Sequence, residues 1–283
     1  MKVIRQSRAL DRILAALRKK NKPVGFVPTM GSLHEGHLSL VRRAKKENGI
    51  VVVSIFVNPL QFGPNEDFKR YPRNAAKDYK LLEKTGADIL FLPEVAEFYP
   101  KDFQTSVSVP RLGGLLCGAS RPAHFAGVAT VVLKLLNLIR PSVVYLGQKD
   151  YQQCRVIEQM LEDLSFPVVV CRMPIVREPD GLAMSSRNVF LSAKERRQAV
   201  FLHRSLEECR KDVRRGVRNA SFLKKKIREM LKNVKNTRID YVEIVDAQTL
   251  EPVIELKKRS LVLAALAVYF SNARLIDNVL IKV

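Results

Sequence analysis

The sequence predicts an α/β protein: a doubly wound parallel sheet, followed by a smaller C-terminal α+β domain. Over residues 1–176, short apolar segments rich in β-branched residues alternate with longer amphipathic segments, which is the pattern of strands linked by helices. The run at 50–57 is apolar except for Ser54, as in a parallel strand covered on both faces. The alternation ends near residue 176, which predicts one domain at 1–176 and a smaller one at 177–283.

The predicted elements of the first domain follow in chain order. A strand at 24–27 leads through a Pro-Thr-Met-Gly-Ser turn into a helix at 38–46, and the strand at 50–57 comes next. The remaining elements are a helix near 74–84, a strand at 87–92, a helix at 127–139, a strand at 142–146, a helix at 150–163 and a strand at 168–171. Ligands of such sheets bind at the carboxyl ends of the strands.

The second domain begins with two amphipathic helical patterns, and three strands are predicted after them at 239–245, 261–270 and 275–281. The stretch 196–235 holds 14 Lys or Arg against four acidic residues, a net charge of +10 within a total of +21. We interpret these basic helix faces as solvated surface, and a nucleic-acid-binding patch is the alternative. The overall charge favours anionic ligands.

The N-terminus carries no apolar segment of the secretory type, and the longest apolar run, at 261–270, is too short to span a membrane. The four cysteines, Cys117, Cys154, Cys171 and Cys209, form no C-x-x-C pair. These features predict a cytoplasmic protein with reduced thiols and no membrane partner.

The first segment suited to chemistry lies between a predicted strand and the start of a helix. Its residues are Met30, Gly31, Ser32, Leu33, His34, Glu35, Gly36 and His37. Imidazoles three residues apart can offer ring N–H groups to one anion, and the helix N-terminus adds partial positive charge. A polyphosphate is therefore the expected ligand. The alternatives are a zinc site, for which the helical His-Glu-x-x-His spacing is absent, and two incidental surface histidines.

Two further clusters follow later strands. The first comprises Gly147, Gln148, Lys149 and Asp150, where the lysine can neutralise phosphate and the aspartate can bind ribose hydroxyls or cap its helix. The second comprises residues 181–188, including Met184, Ser185, Ser186 and Arg187, and its hydroxyl and guanidinium donors suit a loop over phosphates. An ordinary turn before the next helix is the alternative for this loop.

Asn58 and Gln61 appear abruptly after the buried strand at 50–57. Uncharged amides at the carboxyl end of a strand suit a small hydroxylated or carboxylated substrate. The alternative is that both amides only cap the loop.

These motifs, with several others, occur in the order found in one family. They are Pro28-Thr29-Met30-Gly31 with His34-Glu35-Gly36-His37, Phe56-Val57-Asn58-Pro59 with Gln61-Phe62, Tyr71-Pro72-Arg73, His124-Phe125 with Gly127-Val128, Lys149-Asp150-Tyr151-Gln152-Gln153, and Arg177-Glu178 with 180–188. On these residues the sequence resembles the pantothenate synthetase (pantoate–β-alanine ligase) family from end to end. Gln148 is a departure, because many members have an acidic residue there.

The resemblance implies a Rossmann-like first domain of the class I synthetase and nucleotidylyltransferase type that binds ATP and pantoate, a second domain acting as a lid, a homodimer, and a requirement for Mg²⁺. It implies that pantoate is activated as an acyl-adenylate, which the amine of β-alanine then attacks. By position, the expected ATP contacts are 30–37, 147–150, Val176 and 184–187. Gln61 and Gln153 would hold pantoate, and Gln61 would also face β-alanine.

Within this interpretation His34, His37, Lys149 and Arg187 are the expected catalytic residues, and Asn58 joins the substrate-binding amides. No protein-made metal site is predicted, since Mg²⁺ would be held mainly by phosphate oxygens. The alternative enzyme is a nucleotidylyltransferase of the same superfamily, whose acceptor site should be basic where this one is rich in amides. A non-catalytic RNA-binding module is supported only by the net charge, and no specific nucleic-acid partner is expected.

Overall fold

The computed structural model describes residues 1–19, 21–64 and 66–283. Two compact units make up the chain. The first unit comprises Met1–Gly113 and Arg121–Pro174, and the second comprises Gly114–Ser120 and Ile175–Val283. The lid role expected for residues 177–283 stays a prediction.

The first unit is built on a six-stranded sheet in which every pairing is parallel. In chain order its strands are β1 Lys2–Ile4, β2 Val24–Thr29, β3 Ile50–Ile55, β4 Ile89–Phe91, β5 Val143–Gly147 and β6 Val169–Met173. Their spatial order is β1-β4-β3-β2-β5-β6, which confirms the doubly wound parallel sheet. All six residues of β3, including Ser54, are buried, as its mainly apolar composition predicts.

The helices up to Pro174 are, in chain order, α1 Ser7–Arg18, α2 Glu35–Glu47, α3 Ala75–Thr85, α4 Val95–Phe98, α5 Pro110–Gly113, α6 Cys117–Ser120, α7 His124–Ile139 and α8 Tyr151–Asp163. Strand β1 and helix α1 were not predicted. The end of α3 shows how local sequence sets these bounds: Gly86 adopts a left-handed conformation with φ of +88° and ends the helix.

The reversal of strand order places two loops side by side. From β2 the chain adds β3 and β4 on one side, and it then returns to add β5 on the other side of β2. The carboxyl ends of β2 and β5 therefore flank the switch point of the sheet, where ligands of this fold class bind. Helix α2 follows β2 at that point, and the turn after β5 leads into α8.

The second unit contains two long helices, α9 Ala193–Arg214 and α10 Ala220–Lys232, as the basic amphipathic patterns predict. Its antiparallel sheet has the order β7-β8-β9, with β7 Arg238–Asp246, β8 Leu261–Tyr269 and β9 Arg274–Lys282. Helix α6 belongs to this unit, because Ser120 Oγ donates to Asp240 Oδ2 at 3.0 Å.

Within the described residues, no helix is long and apolar enough to cross a membrane. Among the described residues, Cys117, Cys154, Cys171 and Cys209 form no disulfide bond.

Candidate active site

The two histidines of the first motif are brought together at the start of α2. His34 occupies the N-cap position, and its Nδ1 accepts the backbone N–H of Gly36 at 3.2 Å. The backbone N–H of His34 lies 3.4 Å from Nδ1 of His37 and donates to it. The ring centroids are 4.1 Å apart. Because each Nδ1 accepts a hydrogen bond, the ring N–H of both neutral imidazoles is at Nε2.

Burial and nearby positive charge keep both rings neutral. Burial, followed by the positive charge of Lys149, lowers the pKa of His34 from 6.5 to about 4. The pKa of His37 lies well below its ordinary value, chiefly because the ring is buried and secondly because it faces His34 and Lys149. The pair therefore offers two uncharged N–H donors at neutral pH.

Asp78, on α3, holds the turn before the histidines. Its carboxylate accepts the backbone N–H groups of Ser32 and Leu33 at 2.8 Å each, and its side chain is buried. Gly31 adopts a left-handed φ of +84°, and a Cβ there would lie 3.1 Å from Asp78 Oδ2. The sequence analysis did not identify Asp78, since one carboxylate on an amphipathic helix forms no motif.

Lys149 and Asp150 lie at the same edge of the sheet, immediately after β5. Lys149 lowers the pKa of both motif histidines, so its charge acts directly on that pair. Its Nζ lies 3.8 Å from Asp150 Oδ1. Asp150 occupies the N-cap position of α8, but its side chain makes no capping hydrogen bond. The capping alternative for this carboxylate is therefore not supported.

The amide cluster follows β3, the neighbour of β2 in the sheet. Asn58 Nδ2 donates to Gln61 Oε1 at 3.1 Å and to the carbonyl of Gly127 at 3.0 Å, while the hydroxyl of Tyr99 donates to Asn58 Oδ1 at 3.0 Å. Asn58 is only 1% exposed, so its amide orients Gln61. Gln61 Nε2 in turn lies 3.0 Å from the sulfur of Met30, which links the amide cluster to the histidine turn.

The turn that carries Gln61, Pro59–Gln61, packs directly on the backbone of α7. A Cβ at Gly127 would lie 2.2 Å from the carbonyl oxygen of Leu60 and 2.7 Å from the backbone nitrogen of Gln61. Only glycine permits this approach.

The side chains of His124 and Arg121 bind the backbone carbonyl of Gln61. His124 Nδ1 lies 2.8 Å from the backbone carbonyl of Gln61, to which Arg121 Nη2 also donates at 3.3 Å. Burial, and then the charge of Arg121, lower the pKa of His124 to about 4. The sequence analysis quoted His124 only as part of a family motif and assigned it no role. Gln153 lies half-buried on α8, one residue after Gln152, which donates to the carbonyl of Leu112 at 2.8 Å.

The third motif belongs to the second unit. Met184 donates its backbone N–H to the carbonyl of Val176 at 3.0 Å, and Ser185 Oγ accepts the backbone N–H of Arg187 at 3.3 Å. The base of this loop is fixed by Arg177, which donates to the carbonyl of Gly181 at 3.1 Å. Arg177 also forms an ion pair at 2.7 Å with Asp277, a buried residue of β9.

In the part of the chain that the structure describes, no group of three or more His, Cys, Asp or Glu side chains is arranged to hold a metal ion. The zinc alternative for His34 and His37 therefore lacks a third ligand among these residues.

The doubly wound sheet, with the histidine turn at its switch point, defines a Rossmann-like α/β protein. The chain belongs to the pantoate-beta-alanine ligase family, whose model matches residues 2–280. The resemblance noted in the sequence is thereby confirmed.

Relatives of full length share about half of the sequence. The chain is similar to the pantothenate synthetase of Thermotoga petrophila, with 53% identity over 281 residues, covering 99% of this chain and 100% of the relative. It is 51% identical to the pantothenate synthetase of Caldicellulosiruptor saccharolyticus over 283 residues, covering 100% of both chains.

Solved structures show the same likeness. The pantothenate synthetase of Thermus thermophilus superposes with a TM-score of 0.92 at 46% identity, covering 99% of each chain. The pantoate-beta-alanine ligase of Francisella tularensis, solved in complex with beta-gamma ATP and beta-alanine, gives a TM-score of 0.82 at 35% identity, covering 99% of this chain and 97% of that one.

Proposed function

We propose that this chain condenses pantoate with β-alanine at the expense of ATP, forming pantothenate, AMP and pyrophosphate through a pantoyl-adenylate. The observation that carries the proposal is the pair of neutral, Nε2-protonated imidazoles at the N-terminus of α2, beside Lys149, with the amide of Gln61 in contact with Met30 of the same turn. Family membership and the names of the relatives support it. The proposal includes a cytoplasmic location, predicted from the sequence features, and a homodimer, taken from the resemblance.

In the first step a carboxylate oxygen of pantoate attacks the α-phosphorus of ATP, and the bond from that phosphorus to the pyrophosphate oxygen breaks. Negative charge on the phosphate oxygens increases in the transition state. The Nε2–H groups of His34 and His37 and the ammonium of Lys149 stabilise this charge, and Arg187 supplies a further cation. Neutral imidazoles suit the task because their Nε2–H groups can donate hydrogen bonds to phosphate at neutral pH, without first taking up a proton from solvent.

The assignment of ATP contacts follows the motifs. Residues 30–37 and 147–150 of the first unit bind the nucleotide, and the backbone turn held by Asp78 keeps the glycine-rich segment in place. Val176, Met184, Ser185, Ser186 and Arg187 of the second unit are assigned to ATP by the resemblance. Mg²⁺ accompanies ATP as the counter-ion of its phosphates. The described side chains form no carboxylate cage for this ion, so no step is assigned to it.

In the second step the neutral amine of β-alanine attacks the acyl carbon of the adenylate, a C–N bond forms, the bond from that carbon to the phosphate oxygen breaks to release AMP, and the nitrogen loses one proton to solvent. Gln61 and Gln153 bind pantoate, and Gln61 also faces β-alanine. Asn58 is assigned to the same group, and its buried hydrogen bonds indicate that it acts by orienting Gln61. No covalent enzyme intermediate is needed.

Exchange of labelled pyrophosphate into ATP tests the first step. With pantoate and Mg²⁺ but without β-alanine, the enzyme should exchange pyrophosphate, because adenylate formation is reversible and needs only the first two substrates. β-Alanine alone should give no exchange. Exchange that strictly requires β-alanine would contradict the adenylate. Exchange supported by a phosphorylated acceptor and not by pantoate would assign the site to a nucleotidylyltransferase.

A further inference from the structure

The tautomer of His124 is opposite to that of the two motif histidines. The partner of its Nδ1 is the backbone carbonyl of Gln61, at 2.8 Å, and a carbonyl oxygen can only accept. Nδ1 of His124 must therefore carry the proton, and Nε2 of the neutral ring carries a lone pair. In His34 and His37, Nδ1 accepts a hydrogen bond from a backbone N–H group, so the ring proton is on Nε2. One site thus contains two imidazole donors and one imidazole acceptor.

The Nε2 atom of His124 is available to a ligand. Within residues 1–19, 21–64 and 66–283 it has no hydrogen-bond partner, and it is not one of the solvent-inaccessible nitrogen atoms without a partner. The ring is half-buried and held by Gln61, and it packs against Phe125 with ring centroids 4.8 Å apart. The lone pair is therefore fixed in direction.

The charges around His124 favour a particular kind of ligand group. An unprotonated nitrogen cannot donate, so it does not bind the carboxylate of either substrate. Asp150 and Glu66 both act on the ring with negative charge, and the positive charge of Arg121 is paired with Glu66. An acceptor near two carboxylates suits a cationic or strongly polar N–H donor.

We propose that His124 Nε2 accepts a hydrogen bond from the amine of β-alanine and so orients the nucleophile for the second step. The inference rests on the proposed function, which supplies the amine and assigns Gln61 to its binding. An amine that donates one N–H to a fixed acceptor has its own lone pair directed elsewhere, and this orientation accelerates attack. The role is distinct from that of His34 and His37, which donate to phosphates.

Two substitutions at His124 distinguish the role of Nδ1 from the role of Nε2. His124→Asn places an amide N–H where Nδ1 donates to the carbonyl of Gln61 but removes the acceptor at Nε2. His124→Gln places an amide oxygen near the position of Nε2 and gives up the bond to Gln61. A purely structural role predicts that His124→Asn is the better tolerated variant, whereas the proposed role predicts the reverse.

The measurements are pantoate-dependent pyrophosphate exchange, steady-state pantothenate formation with varied β-alanine, and thermal unfolding of both variants. We expect His124→Asn to keep exchange within a few-fold of the parent, while kcat/KM for β-alanine falls by up to about tenfold, the loss typical of one hydrogen bond between uncharged groups. His124→Gln should recover part of that loss.

Three results would overturn the inference: equal losses in exchange and in pantothenate formation, normal kcat/KM for β-alanine in His124→Asn, or no recovery in His124→Gln with both variants folded. A parent enzyme that neither exchanges pyrophosphate with pantoate nor forms pantothenate would instead refute the proposed function.

Discussion

The backbone N–H of His34 donates to Nδ1 of His37, and the centroids of the two imidazole rings lie 4.1 Å apart. The bonds that cap helix α2 therefore also decide which ring nitrogens carry protons. Capping and catalysis use different atoms of the same side chains, so substitutions can remove one without the other.

His37→Ala is expected to lower kcat by about a hundredfold or more, the usual cost of removing a donor to developing charge, with KM for pantoate changed only a few-fold. His37→Asn, which keeps an acceptor near Nδ1, should preserve the helix cap and still lose turnover. Steady-state kinetics with each substrate varied will measure this. Near-normal turnover of folded His37→Asn would remove the Nε2–H of His37 from catalysis.

Gln61→Ala is expected to raise KM for pantoate by about tenfold or more, since a buried amide that contacts substrate leaves its partner unpaired when removed. KM for ATP should change little. Gln159→Ala is the matched control, because Gln159 bonds Asp163 on an exposed face of α8. Equal rises in KM for both substrates would point to collapse of the Pro59–Gln61 turn.

Asp78→Ala leaves the backbone N–H groups of Ser32 and Leu33 without their acceptor. Each unsatisfied buried group costs about 1–3 kcal/mol, so the free energy of unfolding should fall by roughly 2 kcal/mol or more and KM for ATP should rise. Asp78→Asn keeps one acceptor oxygen, so its free energy of unfolding and its KM for ATP should lie between those of the parent and of Asp78→Ala. Lys80→Gln, on an exposed position of the same helix, is the control in urea unfolding. Unchanged stability and ATP affinity in Asp78→Ala would contradict this role.

The sheet was predictable because most of its strands are visible in the local sequence as apolar runs rich in β-branched residues and bounded by turns. Strand β1 was missed because three residues, Lys2–Ile4, carry no measurable period. Helix α1 could have been found, since the pattern around its buried residues Leu10 and Leu14 has helical spacing.

The candidate site could be proposed from the sequence as far as it consists of motifs. Motif spacing indicated His34, His37, Lys149 and Gln61, and the fold brings them to one edge. The positioning contacts could not be predicted from motifs, because they join distant parts of the chain. Asp78 accepts from Ser32 and Leu33, which precede it by 46 and 45 positions, and His124 bonds a carbonyl that precedes it by 63 positions. Such pairs depend on tertiary packing and carry no local period.

The basic helix faces lie outside these contacts. Combined replacement of the exposed residues Arg214, Arg215 and Lys225 by Gln should leave synthetase activity within a few-fold of the parent, since solvated charges contribute little. Any salt-sensitive RNA binding should weaken in parallel with the removed charge. Lys149→Gln provides the contrast: it removes only one positive charge, but turnover should be lost. A severe loss in the triple variant with the fold intact would assign this face to the mechanism.

Stability should fall on acidification. The pKa values of His34 and His124 are lowered from 6.5 to about 4, so between these values the unfolded chain binds protons that the folded chain does not. The free energy of unfolding therefore decreases as pH falls through this window, by at most about 1.4 kcal/mol per pH unit for each group. Urea unfolding across the window should show a shallower slope for His124→Gln. Equal slopes for parent and variant would contradict the neutral assignment.

The contact between Gly127 and the Pro59–Gln61 turn limits how substrate preference could be redesigned. Because the helix backbone lies directly against the turn, no side chain lies between them that could be shortened or lengthened to change the size of the proposed pantoate site. Variation in the acid accepted must come from the side chains assigned to pantoate, which are Gln61 on the turn and Gln153 on α8. A library built for new acids should therefore hold position 127 constant and diversify the residues around Gln61.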